Sequence, residues 1–231
     1  MTHSTIISAG RCTITNNTDF DALVQEVWRV NCALPKAGLV TATSGNASGI
    51  DRATNQLVIK PSGVEYDVLR PEDLAIVDAT SGAHLGGQKP SVDLLHHLLL
   101  YQKDTRLGGV IHTHSNYATA FAAVGHAIPC ILTAIADEFG AEIPCAPYAD
   151  NVDDHIASVI MQHRGRGPAM LLRHHGVFTF DVSPAKALKA AIMVEDAART
   201  VWLAQQLGTA APLPPDEIEK WWGRYHATYG Q

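Results

Sequence analysis

The stretch Gly108-Gly109-Val110-Ile111-His112-Thr113-His114-Ser115 decides how this chain is read. A strand sends residues i and i+2 to the same face, so His112 and His114 converge on one point if the segment is extended. A helix would set them about 200° apart. The β-branched Val110, Ile111 and Thr113 favour the extended form. Two imidazoles at a strand end can supply half of a transition-metal shell.

Secondary-structure signals extend outward from this strand. Downstream, Ser115 opens a helix through about Val124; upstream, Ser91 opens one through about Gln102. A polar N-terminal extension, residues 1–17, precedes a helix capped by Thr18-Asp19 that runs through about Leu34 and stops before Pro35 and Gly38. Residues 39–90 hold short β-like runs, such as Leu57-Val58-Ile59 and Leu74-Ala75-Ile76-Val77, separated by Gly, Ser, Pro and Asp turns. Ile156 to Gln162 reads as a helix, Ala169 to Leu172 as a buried strand and Val177 to Phe180 as its hairpin partner. Pro184 to Leu207 reads as a long amphipathic helix, and a helical segment follows from Pro214. With no internal repeat and no low-complexity linker, residues 18–231 are expected to form one α/β domain, a sheet covered by helices.

Composition narrows the function. The chain has 231 residues, 46% of them apolar, enough to bury a core without staples. Its net charge of −6, from 17 basic and 23 acidic side chains without a basic cluster, argues against nucleic acid or a membrane surface as main partner. Cys12, Cys32, Cys130 and Cys145 show no CxxC spacing and read as reduced thiols. No signal-peptide pattern and no run of ~20 apolar residues appears, so a cytoplasmic location is expected.

A third imidazole stands at another strand end, in Arg173-His174-His175-Gly176, where spacing leaves His174 and His175 open because adjacent strand residues face opposite sides. Asp93 falls in the first turn of the helix opened by Ser91, where a carboxylate is favoured whatever its further role. With His97 at i+4 it is a candidate second ligand pair. Three polar loops, Thr43-Ser44-Gly45-Asn46, Lys60-Pro61-Ser62-Gly63 and Lys89-Pro90-Ser91, offer N–H groups, hydroxyls and a lysine charge suited to an anionic sugar. Asp137 lies among mostly apolar residues, where partial burial would raise its pKa and suit proton transfer, although a helix cap or turn explains it equally well. Tyr229, near the C-terminus, reads as a frayed end or as a group reaching across a subunit interface.

Taken in order, Ser44-Gly45-Asn46, Ile59-Lys60-Pro61-Ser62-Gly63, Lys89-Pro90-Ser91-Val92-Asp93, Ile111 to Ser115 and His174-His175-Gly176 resemble the class II aldolase family over about residues 20–231. Ala33-Leu34-Pro35-Lys36 and the terminal Tyr229-Gly230-Gln231 point to its phosphopentulose-epimerase branch. The resemblance implies a single-domain α/β/α layered fold around a mixed, largely antiparallel sheet. It implies His112, His114 and His175 as metal ligands, Asp93 as the acidic fourth ligand, and Zn²⁺, with Mn²⁺ or Co²⁺ as alternatives. Aldolases of the family usually carry glutamate where Asp93 stands. Gly45, Asn46, Lys60, Ser62, Gly63, Ser91 and Val92 fall at substrate-contacting positions. Asp137 resembles one catalytic acid/base and Tyr229 the other, given by a neighbouring subunit of a fourfold-symmetric homotetramer. Three departures bear on specificity: Val92 replaces a serine, Ile135 replaces a histidine, and the segment before His175 is short.

The reaction so implied is inversion at C4 of L-ribulose 5-phosphate to give D-xylulose 5-phosphate. C4 bears no proton acidified by an adjacent carbonyl, so simple deprotonation fails. Retro-aldol cleavage of C3–C4, rotation of the aldehyde fragment and re-addition would invert it, with metal Lewis-acid assistance. Alternatives within the family are an L-fuculose-1-phosphate-type aldolase or a related dehydratase or decarboxylase. A non-catalytic, adducin-like head would generally lack the full histidine set.

Overall fold

The computed structural model describes residues 18–229. The expected extension 1–17, Gly230, Gln231 and the Tyr229 side chain lie outside the described residues and side chains.

Eight strands form one sheet: β1 (Asn46–Asp51), β2 (Gln56–Ile59), β3 (Ala75–Asp78), β4 (His84–Gly86), β5 (Gly109–Thr113), β6 (Cys145–Ala146), β7 (Ala169–Leu172) and β8 (Gly176–Asp181). Their order is β4-β3-β2-β1-β5-β8-β7-β6. Among the described residues β6 and β7 pair in parallel and the other neighbours are antiparallel. The helices are α1 (Thr18–Lys36), α2 (Leu94–Lys103), α3 (Asn116–Val124), α4 (Thr133–Phe139), α5 (His155–His163), α6 (Pro184–Leu207) and α7 (Pro215–Arg224), and a π turn spans Tyr225–Tyr229.

Alternation along β5 divides the core. Val110 packs with Phe178 and Phe180 of β8, Leu98 and Tyr101 of α2, and Ile156 and Ile160 of α5. Ile111 faces the opposite way, with Ala47 of β1, Val30 and Leu34 of α1, and Ala187 and Ala191 of α6. Leu171 and Val177 continue that second face against α3, α4 and α6. Helices on both faces explain why β5, β7 and most of β8 are fully buried and read as nearly unbroken apolar runs. This is the expected α/β/α layering.

Local differences from the sequence reading have physical causes. Helix α2 begins at Leu94 with Asp93 as its N-cap residue, not at Ser91; the Ser91 Oγ instead accepts from the Asp93 N–H at 3.3 Å. Helix α1 continues past Pro35 to Lys36, because a proline in the last turn removes only its own N–H and Ala37 N–H still reaches the Ala33 carbonyl at 3.0 Å. Ser115 flanks α3 as expected, but its hydroxyl makes no cap bond. Glu195 of α6 takes that role, its two carboxylate oxygens accepting from the Tyr117 and Ala118 N–H groups at 2.9 Å each. Among the described residues Cys32, Cys130 and Cys145 are free thiols, as the spacing implied. No helix among the described residues is long and apolar enough to cross a membrane.

Helix α6 starts directly against the beginning of β5. A Cβ added to Gly109 would lie 2.4 Å from the Ser183 carbonyl carbon and from the Pro184 nitrogen, a contact with backbone that only displacement relieves. Gly109→Ala is therefore expected to destabilise the fold by about 2–3 kcal/mol. Thermal unfolding should show a drop in Tm of roughly 4–12 °C for a chain of this size.

Candidate metal centre

Antiparallel pairing of β5 with β8 sets His112 opposite Phe178 and Thr113 opposite Val177, so the end of β5 and the β7–β8 turn meet. His175 sits in that turn, its N–H donated to the Leu172 carbonyl at 3.0 Å. Gly176 allows the approach: a Cβ there would lie 2.6 Å from the Thr113 oxygen and 2.7 Å from His114 Cδ2. One ligand nitrogen from each of His112, His114 and His175 lies within 4.8 Å of the other two. His174, left open by spacing, turns away in the left-handed region at φ 59°, and its ring lies beside Tyr148 at 6.4 Å between centroids.

The buried His112 ring is fixed by its neighbours. It stacks on Phe178 with centroids 4.3 Å apart, and its Nδ1 lies 2.9 Å from the Val177 carbonyl oxygen. A carbonyl can only accept, so Nδ1 carries the hydrogen and Nε2 keeps its lone pair. That Nε2 is buried and has no hydrogen-bond partner among the described residues. Burial lowers the His112 pKa to about 3 and also lowers those of His114 and His175. Three neutral imidazoles, one with an unpartnered inward nitrogen and a carbonyl-bonded outer one, match the donor set and supporting shell of a divalent metal ion.

Asp93 reaches the same cavity from the start of α2. Its Oδ2 accepts from Asn46 Nδ2 at 2.6 Å, and the same amide nitrogen donates to Ser91 Oγ at 3.1 Å. Burial opposes its charge, but the His112 and His97 imidazoles and the Asn46 amide hold its carboxyl below the ordinary carboxylate range. Asn46 is itself paired opposite His112 across β1 and β5. The candidate Asp93–His97 ligand pair does not form part of the three-histidine cluster. His97 is fully buried and its Nδ1 is taken up by Ser48 Oγ at 2.7 Å.

The cavity has a volume of about 340 Å³ and is lined by all of the expected substrate positions: Gly45, Asn46, Lys60, Ser62, Gly63, Ser91 and Val92. Lys60 is buried at the end of β2, with Nζ 3.4 Å from the Thr43 oxygen and 4.6 Å from the centre of the Tyr66 ring. Burial lowers its pKa, so an anion arriving in the cavity would meet a poorly hydrated cation. Ser62 and Val92 are exposed at the rim. The structure thus gathers three sequence-distant loops around the histidines.

Asp137 is not among the residues lining that cavity. It lies inside α4, where one carboxylate oxygen is buried without a hydrogen-bond partner among the described residues. Burial raises its pKa, with Arg224 and His226 acting in the opposite sense. The C-terminal segment packs on α4, where Tyr225 donates to the buried Glu138 carboxylate at 2.7 Å and Lys189 pairs with it at 3.0 Å. Sequence reasoning missed this tie, Glu195 and the Ser48 contact.

Relatives agree with this architecture. The family described as class II aldolase and adducin N-terminal domain matches residues 25–202. The chain is 37% identical over 224 residues to the L-ribulose-5-phosphate 4-epimerase UlaF of Salmonella paratyphi C (strain RKS4594), covering 90% of this chain and 98% of that protein. The UlaF protein of Salmonella typhi matches with the same identity and coverage. Among solved structures, an L-fuculose 1-phosphate aldolase superposes with a TM-score of 0.80 at 26% identity, covering 89% of this chain and 96% of that one. The YgbL protein of Escherichia coli gives 0.76 at 27% identity, covering 87% and 98%. A match across most of the chain, joined to the three-histidine cavity, places this protein in the class II aldolase family.

Proposed function

We propose that this protein is a metal-dependent L-ribulose-5-phosphate 4-epimerase that converts its substrate to D-xylulose 5-phosphate. The carrying observation is one cavity uniting the histidine cluster, Asp93 and the Lys60–Gly63 loop in a chain 37% identical to such epimerases. His112, His114 and His175, with Asp93, are the proposed ligands, and Zn²⁺ is the proposed ion, with Mn²⁺ or Co²⁺ as substitutes. When bound, the ion supplies Lewis-acid stabilisation for negative charge developing on the ketose oxygens.

The protein residues do the rest. Asn46 orients Asp93. Lys60, Ser62, Gly63, Ser91 and the backbone at Gly45 and Val92 hold the phosphate end. This retains the aldehyde fragment after the C3–C4 bond breaks and its electrons move towards the C2 carbonyl. Rotation of the held aldehyde presents its other face, and re-formation of the bond inverts C4. Asp137 and Tyr229, one on each side, remove and return the proton of the C4 oxygen. In this reading Tyr229, and with it Asp137, reaches the cavity of a neighbouring copy in a homotetramer. Its support is that neither Asp137 nor any residue of 215–228 lines the cavity of its own chain. A doubly charged sugar phosphate does not cross a bilayer unaided, which supports a cytoplasmic site of action.

¹³C NMR of the metal-loaded protein with L-ribulose 5-phosphate tests the reading. D-xylulose 5-phosphate without accumulated dihydroxyacetone or glycolaldehyde phosphate is expected; accumulated fragments would mean an aldolase instead. His112→Ala should lose bound metal and turnover together, read by metal analysis beside the NMR assay. Tyr229→Phe should keep the metal but slow turnover by about 10²–10⁴-fold, as expected for loss of an acid/base. Acidification gives a further check. Unfolded histidines bind protons near pH 6.5, whereas burial holds His112 down to about 3 and lowers His114 and His175. The unfolded chain therefore binds more protons below pH 6.5, and stability is lost as pH falls from there. The Tm of metal-free protein should decline from pH 7 to 5, and His112→Asn should flatten the slope.

A further inference from the structure

Helix α2 carries Asp93, His97 and Tyr101 at successive i, i+4 positions, starting from its N-cap. Side chains on a helix lean towards its N-terminus, so each points at the one before it. His97 and Tyr101 are both fully buried. Between them stands Ser48 of β1, whose Oγ lies 2.9 Å from the Tyr101 hydroxyl and 2.7 Å from His97 Nδ1.

The direction of these bonds follows from the donors available. Tyr101 keeps its phenolic proton, because burial raises its pKa, and donates it to Ser48 Oγ. Ser48 has a single proton, which can go to His97 Nδ1 at 2.7 Å or to the Val110 carbonyl at 3.4 Å. Given to the nearer nitrogen, that proton makes Nδ1 the acceptor and puts the ring hydrogen on Nε2. That Nε2 is buried with no partner among the described residues. A buried N–H without an acceptor is uncommon and marks a place where one belongs. The acidic group acting on His97 is the Asp93 carboxylate, one helical turn earlier, while His96 acts in the opposite sense. Asn46 holds one Asp93 oxygen.

We infer that His97 is a positioning residue for Asp93: Tyr101 and Ser48 hold its ring as the Nε2–H tautomer, which donates to the Asp93 carboxylate once that carboxylate serves the metal. The inference rests on the reading of Asp93 as a ligand. It makes the Asp93 carboxylate a group oriented from two sides, by Asn46 of β1 and by His97 of its own helix. Groups that orient ligands in this way typically govern metal affinity by 10–100-fold.

The test is Co²⁺ uptake by the purified, metal-free full chain, measured by chelator competition and by the visible absorption of bound Co²⁺. His97→Leu should weaken Co²⁺ binding about 10–100-fold and alter the absorption band. His97→Gln, which can keep an N–H near the same place, should restore most of the affinity. Tyr101→Phe, which preserves ring volume, should weaken binding in the same direction by less, and it decides the matter if His97→Leu does not fold. Equal Co²⁺ affinity and an unchanged spectrum in these variants, with only the metal-free Tm lowered, would overturn the inference and leave His97 a packing residue. A parent protein that takes up no Co²⁺ would overturn the ligand reading of Asp93 itself, and this role with it.

Discussion

Strand β5 is hydrogen-bonded along both edges, to β1 on one side and β8 on the other, and the contents of the cavity depend on that double pairing. The β1 edge sets Asn46 beside His112, and through Asn46 it reaches Asp93. The β8 edge brings the Val177 carbonyl to His112 Nδ1 and the β7–β8 turn, with His175, to the end of β5. A one-residue slip of either pairing would turn His112 to the opposite face, among Ile111 and the helices α1 and α6. The glycines at 109 and 176 serve this register by letting backbone and imidazoles approach where a Cβ would intervene.

Much of this was legible in the sequence because it rests on local periodicity. Helix α6, strand β7 and its antiparallel partner followed from apolar spacing, and His112 with His114 followed from the period of two. The choice of His175 over His174 was not legible from spacing, because it depends on a left-handed residue in a turn rather than on an alternating strand. Nor was the start of α2: Ser91 and Asp93 are both good cap residues, and the choice of Asp93 is seen only with the neighbouring strand in place. Glu195 capping a different helix is a tertiary fact that no local window contains. The same holds for Asp137, whose helix was too short to announce itself.

Electrostatically the cavity opposes groups that would cancel one another in water. Buried imidazoles are kept neutral by desolvation, while the carboxylate beside them keeps its charge with the help of the Asn46 amide. Lys60, lining the same cavity, is a cation with little water around it. The low local dielectric that makes each of these groups costly alone also strengthens its attraction to a ligand of opposite charge. A dianionic phosphate with a polarisable ketose at the other end complements that arrangement.

The Val177 carbonyl that fixes His112 lies 65 residues further along the chain, and the Asn46 amide that fixes Asp93 lies 47 residues earlier. Closing such long loops is slow compared with forming the helices between them. The nascent protein must therefore complete the centre of its sheet before the imidazoles share a point in space. Ion capture becomes a late event in folding, and the loaded site a record that the chain has finished assembling. A cell that supplies the ion after synthesis would thus select correctly folded copies from the rest, since binding to the native form alone shifts the equilibrium towards it.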